Sequence, residues 1–176
     1  EVVVTAERRP APLLSQVGSI SVISAQDILE REAQHLEGIL NLAPNVNFAG
    51  GTSRARFFQI RGVGERSQFQ EPLNPSIGLV IDGIDFSGLG GAGTLFDVQQ
   101  VEILRGPQGT LYGKNTAAGA ISIITMAPSP EALESEVELT YNSDERAEIH
   151  AMGNIPLGDS GNAMRLTGYA VKGDHL

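Results

Sequence analysis

The sequence predicts an α+β domain, built on a small mixed sheet with short helices, and after it a set of antiparallel strands. Three observations carry that prediction. Val101–Thr125, VEILRGPQGTLYGKNTAAGAISIIT, holds two β-rich runs, VEIL and AISIIT, joined through glycines at 109, 113 and 119. Gly78–Phe86, GLVIDGIDF, reads as a tight hairpin, because Asp82-Gly83 tolerates the positive φ of a two-residue turn. From Glu136 onward, apolar and polar residues alternate through three segments of about ten residues.

The elements follow in order from local chemistry. Glu1–Ala6, EVVVTA, is strongly β-prone but is followed by Arg8, Arg9, Pro10 and Pro12, so it reads as a free extended strand on a proline-rich leash, not as a core strand. Ser19–Ser24, SISVIS, is the first regular strand. Ser24 with Asp27 forms an N-cap signature for a helix running from Ala25 towards Ala33. Leu36, Ile39, Leu40 and Ala43 stand at helical spacing and predict a second helix over Leu36–Leu42, stopped by Pro44. Asn45–Phe48 and FFQIRGV (57–63) are strands around a Gly50–Ser53 loop. Glu65–Pro75 and SGLGGAG (87–93) are further loops on either side of the hairpin.

The composition changes near Pro128. Residues 1–127 carry 9 basic and 12 acidic side chains, residues 128–176 only 3 basic and 9 acidic. Beyond an acidic SPEALES stretch, Val137, Leu139 and Tyr141 share one face, as do Ala147, Ile149, Ala151, Gly153 and Ile155, and then Met164, Leu166, Gly168 and Ala170. Such segments fit the strands of a transmembrane β-barrel, and a soluble antiparallel meander alternates in the same way. At 176 residues the chain has room for one domain, or one and part of a second. A hydrophobic content of 41% supports a packed core. Twenty-one glycines point to many tight turns and close backbone approaches. The net charge of −9 argues against nucleic-acid binding. The absence of cysteine excludes disulfides and thiolate metal sites. Glu1 is not a start residue and no leader pattern follows it, so the numbering is expected to begin in a mature or excised chain. No apolar run approaches 18 residues; a membrane role has to come through strands.

Motifs that would mark an enzyme fail on their context. Gly88–Gly93 matches G-x-G-x-x-G, but a strand-like run follows within ten residues and leaves no room for a crossover helix. Gly109–Lys114 lacks one residue of a phosphate-binding loop and has Asn115 where Ser or Thr should hold magnesium. His35, His150 and His175 stand without metal-ligand spacing, and Asp82 and Asp85 serve the hairpin turn. No catalytic residue, cofactor or metal is expected.

FQIRGVG, GLVIDGIDF and VEILRGPQGTLYGKNTAAGAISIIT, in this order and spacing, resemble the plug domain of TonB-dependent outer-membrane receptors over Glu1 to about Ala127. The resemblance implies a Ton-box-like segment at 1–6, a plug at 7–127, a linker at 128–135 and, at 136–176, the first three strands of an incomplete transmembrane β-barrel. Barrels of this family have about 22 strands, so the chain is expected to be a fragment, a truncated product or an excised piece. The implied function is TonB-dependent import of a scarce ligand, such as an iron–siderophore complex, across the outer membrane, with the N-terminus periplasmic. The rival reading is a soluble binding or signalling module on the same fold. The implied partners are the TonB C-terminal domain, outer-membrane lipid and the ligand. Glu1, Val2, Val3, Val4, Thr5 and Ala6 would join TonB by strand addition. The loops at Gly50–Arg56, Glu65–Pro75 and Phe86–Thr94 would face the ligand, through Arg54, Arg56, Arg66, Gln68, Gln70, Phe86 and Ser87. Arg61 and Arg105, each ending a β-run in Arg-Gly and projecting beyond the sheet edge, would lock the plug to glutamates on the barrel wall.

Overall fold

The computed structural model describes residues 2–5, 10–16, 18–49, 55, 57–65, 75–89, 93–141, 146–158 and 161–173. The chain forms two compact units, Glu1–Thr125 and Met126–Leu176.

The first unit is organised by a five-stranded mixed sheet. Its strands are β3 (Ser19–Ser24), β6 (Ile77–Ile81), β7 (Ile84–Asp85), β8 (Val98–Arg105) and β9 (Gly119–Thr125), in the order β3-β8-β9-β6-β7. β6 and β9 run parallel and the other pairs antiparallel. Two short antiparallel pairs accompany it: β1 (Val3–Val4) with β2 (Ala11–Pro12), and β4 (Val46–Ala49) with β5 (Phe57–Ile60). Alternation along β8 divides the packing. Val101 and Ile103 enter the main core with Ile121, Ile123, Leu79, Leu36, Ile39, Leu40 and Phe58. Leu104 belongs to a smaller cluster with Val4, against which Leu13, Ile20, Val22 and Tyr112 pack.

Helix α1 (Ala25–Glu30) starts from a complete capping box. The Asp27 amide donates to Ser24 Oγ at 3.2 Å, and Asp27 Oδ2 accepts from the Ser24 amide at 2.9 Å and its hydroxyl at 2.6 Å. The helix predicted over Leu36–Leu42 is instead two 3-10 turns, Leu36–Gly38 and Leu40–Leu42. A seven-residue run containing Gly38 is too short to nucleate an α-helix alone, and the Leu36 amide is bonded to Gly93 O at 2.9 Å. Leu36, Ile39 and Leu40 nevertheless reach full burial, because a three-residue turn also keeps i and i+3 on one face. The hairpin has the expected turn, with φ of 47° at Asp82 and 84° at Gly83. The Gly109 block forms a short helix, α2 (Gly109–Tyr112). Close passage is present at Gly119, where an added Cβ would lie 2.5 Å from Leu104 O.

The second unit is an antiparallel meander of β10 (Glu134–Tyr141), β11 (Ala147–Pro156) and β12 (Ala163–Lys172). The register aligns Leu139 with Ile149 and Ile149 with Ala170, so the apolar residues form one continuous face. That face is open: Val137 is 63%, Leu139 74%, Tyr141 73% and Leu166 58% exposed. On the polar face, Glu148 is 6%, His150 3% and Asn154 0% exposed. A soluble meander buries its apolar face, whereas a membrane barrel wall turns that face outward. Ten residues at about 3.3 Å each, tilted about 45°, span roughly the 25 Å apolar band of such a wall. The stretch before β10 packs on this unit: Asn154 Nδ2 donates to Ser129 O and Ala132 O, both at 2.8 Å.

Candidate functional site

The N-terminal segment is not free, contrary to the reading from its prolines. Val3 and Val4 pair with Pro12 and Ala11, and Val4 is fully buried. The segment meets β2 and lies over the second face of the main sheet. Gln100 Nε2 donates to Val3 O at 2.9 Å, and the Thr5 amide donates to Glu102 Oε1 at 2.7 Å. Gln100 and Glu102 were missed from the sequence. The available signal is an acid inside the apolar run VEIL, whose other three residues are buried. Val2 and Val3 remain half exposed, and Glu1 and Ala6 lie outside the described residues.

The two arginines differ in setting. Arg61 is exposed and begins a two-residue turn with Gly62, with φ of 54° and 79° and paired backbone bonds between Ile60 and Val63. A left-handed arginine is uncommon; asparagine and glycine hold such positions at lower cost. Arg105 does not project freely beyond the sheet edge. It turns back along β3, donating to Ser19 Oγ at 3.0 Å and to Ser21 Oγ, because those hydroxyls lie on its own face of the adjacent strand. Its Nε is buried with no hydrogen-bond partner among the described residues. Burial, and then the nearby charge of Arg61, lower the Arg105 pKa from its ordinary value, so the two cations stand within each other's field. A pair of like charges held in this way favours an anionic partner.

Of the loop residues expected to face a ligand, Arg54, Arg56, Arg66, Gln68 and Gln70 lie outside the described residues. The bases of their loops are tied down. Glu65 Oε1 accepts from the Ser76 amide at 2.9 Å and its hydroxyl at 2.7 Å, and the Ala55 amide donates to Glu37. Phe86 packs against the main core, and Ser87 Oγ accepts from the Leu79 amide at 3.1 Å. Both side chains serve the domain's interior, since the short β7 brings the chain straight back over β6. Asp85 completes this corner, accepting from the Ser87 amide and from Asn115 Nδ2 at 2.9 Å each. Partial burial pushes its pKa up, but the bonds from Ser87 and Asn115 and the charge of Lys114 outweigh this and leave it lowered. Two of the three histidines have acidic neighbours: His35 lies 3.9 Å from Glu37, and His150 3.3 Å from Glu148.

The first unit is thus a mixed sheet with an N-terminal strand laid across it, and the second a meander whose apolar face lies open. Residues 12–120 match the family model described as TonB-dependent Receptor Plug Domain. The chain belongs to that family, whose members are receptors of the outer membrane. It is 34% identical over 111 residues to the pesticin receptor of Yersinia pestis, covering 62% of this chain and 16% of that protein. It is 32% identical over 157 residues to the vitamin B12 transporter BtuB of Vibrio vulnificus, covering 85% of this chain and 24% of that one. The ferric yersiniabactin uptake receptor FyuA from Yersinia pestis superposes with a TM-score of 0.67 at 29% identity, over 81% of this chain and 22% of that chain. The FpvAI–pyocin S2 complex gives a TM-score of 0.78 at 19% identity over 97% of this chain and 22% of that one, a likeness of fold. The chain thus spans a quarter or less of these curated relatives.

Proposed function

We propose that this chain is the plug and the start of the barrel of a receptor that imports a scarce ligand across the outer membrane, driven by TonB. The observation that carries the reading is the sequence of units: a plug-family domain is followed directly by long strands whose apolar face lies open while Glu148, His150 and Asn154 are buried. Outer-membrane lipid would cover that face. The division of labour follows, with 7–127 as plug, 128–135 as linker and 136–176 as the first barrel strands. Glu1–Ala6 would engage the TonB C-terminal domain. Arg61 and Arg105 would pair with acidic groups on the barrel wall. Arg54, Arg56, Arg66, Gln68 and Gln70 would meet the ligand.

For the ligand, an iron–siderophore complex is the reading we favour. The arginine and amide residues of these segments suit a polar, anionic cargo, and relatives include a ferric yersiniabactin uptake receptor. The vitamin B12 transporters among the relatives make a cobalamin the specific alternative. The test is uptake by cells expressing the complete receptor, supplied with labelled ferric siderophores or cyanocobalamin. Energy-dependent accumulation of a ferric siderophore, lost in cells without TonB, is expected. Accumulation of cyanocobalamin alone would change the ligand, and accumulation independent of TonB would overturn the transport reading.

A further inference from the structure

The stretch of chain that leads from the first unit to the second is held at each end by a side chain. At its start, Asp82 of the hairpin turn grips Thr125, the last residue of β9. Its Oδ1 accepts from the Thr125 amide at 3.0 Å and its Oδ2 from the Thr125 hydroxyl at 2.7 Å. At its end, Asn154 of β11 grips Ser129. Asn154 Oδ1 accepts from the Ser129 amide at 2.9 Å and Nδ2 donates to Ser129 O at 2.8 Å, the same exchange that two paired strand residues make through their backbones. Nδ2 also donates to Ala132 O at 2.8 Å. Asn154 is fully buried, so these bonds lie away from competing water. An aspartate there would have no donor for the two carbonyls. Asparagine is a poor strand residue, and the grip accounts for one in β11.

Each hold lies inside one unit, and between them stand only Met126, Ala127 and Pro128, outside any helix or strand. From Thr125 to Ser129 such a tether reaches at most about 14 Å, well short of the roughly 25 Å apolar band of a barrel wall. Without the grip on Ser129 and Ala132, the chain is next fixed at Glu134, where β10 begins, and the reach from Thr125 grows to about 30 Å. We propose that Asn154 is a positioning residue that pins the linker to the barrel wall, so that Met126–Pro128 is the whole slack of the plug and the plug cannot be drawn clear of the wall as one body. The proposal rests on the reading of the first unit as plug and the second as wall. From Ser129 onward the linker moves with the wall, and any path for the ligand has to open by rearrangement within a tethered plug.

The test uses the complete receptor, with amide exchange of the purified protein to probe the hold and entry of vancomycin into TonB-bearing cells to probe an opened lumen. Asn154→Leu removes all three bonds at similar volume. It should speed exchange at Ser129 by about tenfold or more and raise vancomycin entry by about threefold or more. A Gly-Ser-Gly-Ser insertion between Ala127 and Pro128 leaves Asn154 in place and adds about 14 Å of slack. It should raise entry by a similar factor with exchange at Ser129 unchanged, and it decides the matter where Asn154→Leu fails to assemble. Unchanged exchange in Asn154→Leu would mean that this side chain does not hold the linker. Unchanged entry in the insertion variant would mean that tether length does not bound the plug. Either result overturns the proposal. Neither readout uses the imported ligand, so a failure here is distinct from a failure of the import reading, which uptake by the wild-type receptor decides.

Discussion

Replacing Arg61 by asparagine should have opposite effects in the plug alone and in the complete receptor. Arg61 sits at a φ of 54° in its turn with Gly62 and is exposed. A left-handed position costs an ordinary side chain about 1–2 kcal/mol, and asparagine tolerates it better. The substitution also removes the positive charge that bears on Arg105. In a 1–127 fragment, Arg61→Asn should therefore stabilise by about 1 kcal/mol. With an m-value of about 2 kcal/mol/M, the urea midpoint would rise by roughly 0.5 M. In the complete receptor, an arginine enclosed against a wall glutamate is worth more than the strain: removing one partner of a buried pair costs roughly 3–5 kcal/mol. There the same substitution should loosen the plug and raise amide exchange across 57–63 and 100–106. Stabilisation in both settings, with exchange unchanged, would refute the lock and leave Arg61 a strained surface residue. Destabilisation of the fragment would refute the strain argument.

Other expectations follow from the same geometry. Gly119→Ala places a Cβ 2.5 Å from Leu104 O, where backbone must move, and should cost about 3 kcal/mol in urea unfolding of the plug. Ser24→Ala removes the capping hydroxyl and should cost about 1 kcal/mol at neutral pH. The Ser24 hydroxyl, then its amide, lower the Asp27 pKa below its usual value. Stability linked to a depressed carboxylate is present above its unfolded pKa and is lost as pH falls through the folded one, so the gap between wild type and Ser24→Ala should narrow below about pH 4. A gap constant down to pH 2 would contradict that cause. A 1–176 chain exposes Val137, Leu139, Tyr141 and Leu166 to water and should associate unless detergent is added, while 1–127 stays monomeric by sedimentation.

Much of the fold was legible because local patterns agree with tertiary demands. SISVIS and Ala163–Lys172 form the strands their alternation predicts, and the capping box and Asp82-Gly83 turn are local signals that nothing distant overrides. β8 begins at Val98, before the VEIL run: Gln99 and Gln100 carry no β signal, but Val98 pairs with Thr125 and Gln100 with both Ser24 and Ile124, while Gln99 falls at an irregularity of the register. β10 likewise starts two residues before the alternation marks it, at Glu134, which pairs with Asn154. The site was less legible. Glu1–Ala6 has the composition of a free strand, and what docks it is a pair of side chains about 97 residues away at Gln100 and Glu102. The Arg-Gly ends of β5 and β8 look alike in sequence. Only the neighbouring strand, with Ser19 and Ser21 facing Arg105, makes one arginine anchored and the other exposed.

The most direct test of the account is energised uptake by the complete receptor carrying Val3→Pro. Proline at this position removes an N–H from the proposed coupling strand and would block strand addition, while the loops proposed to face the ligand are untouched. Uptake should fall to the level of cells without TonB, with surface binding of the ligand nearly unchanged. Uptake at the wild-type rate would contradict the claim that Glu1–Ala6 is where TonB takes hold.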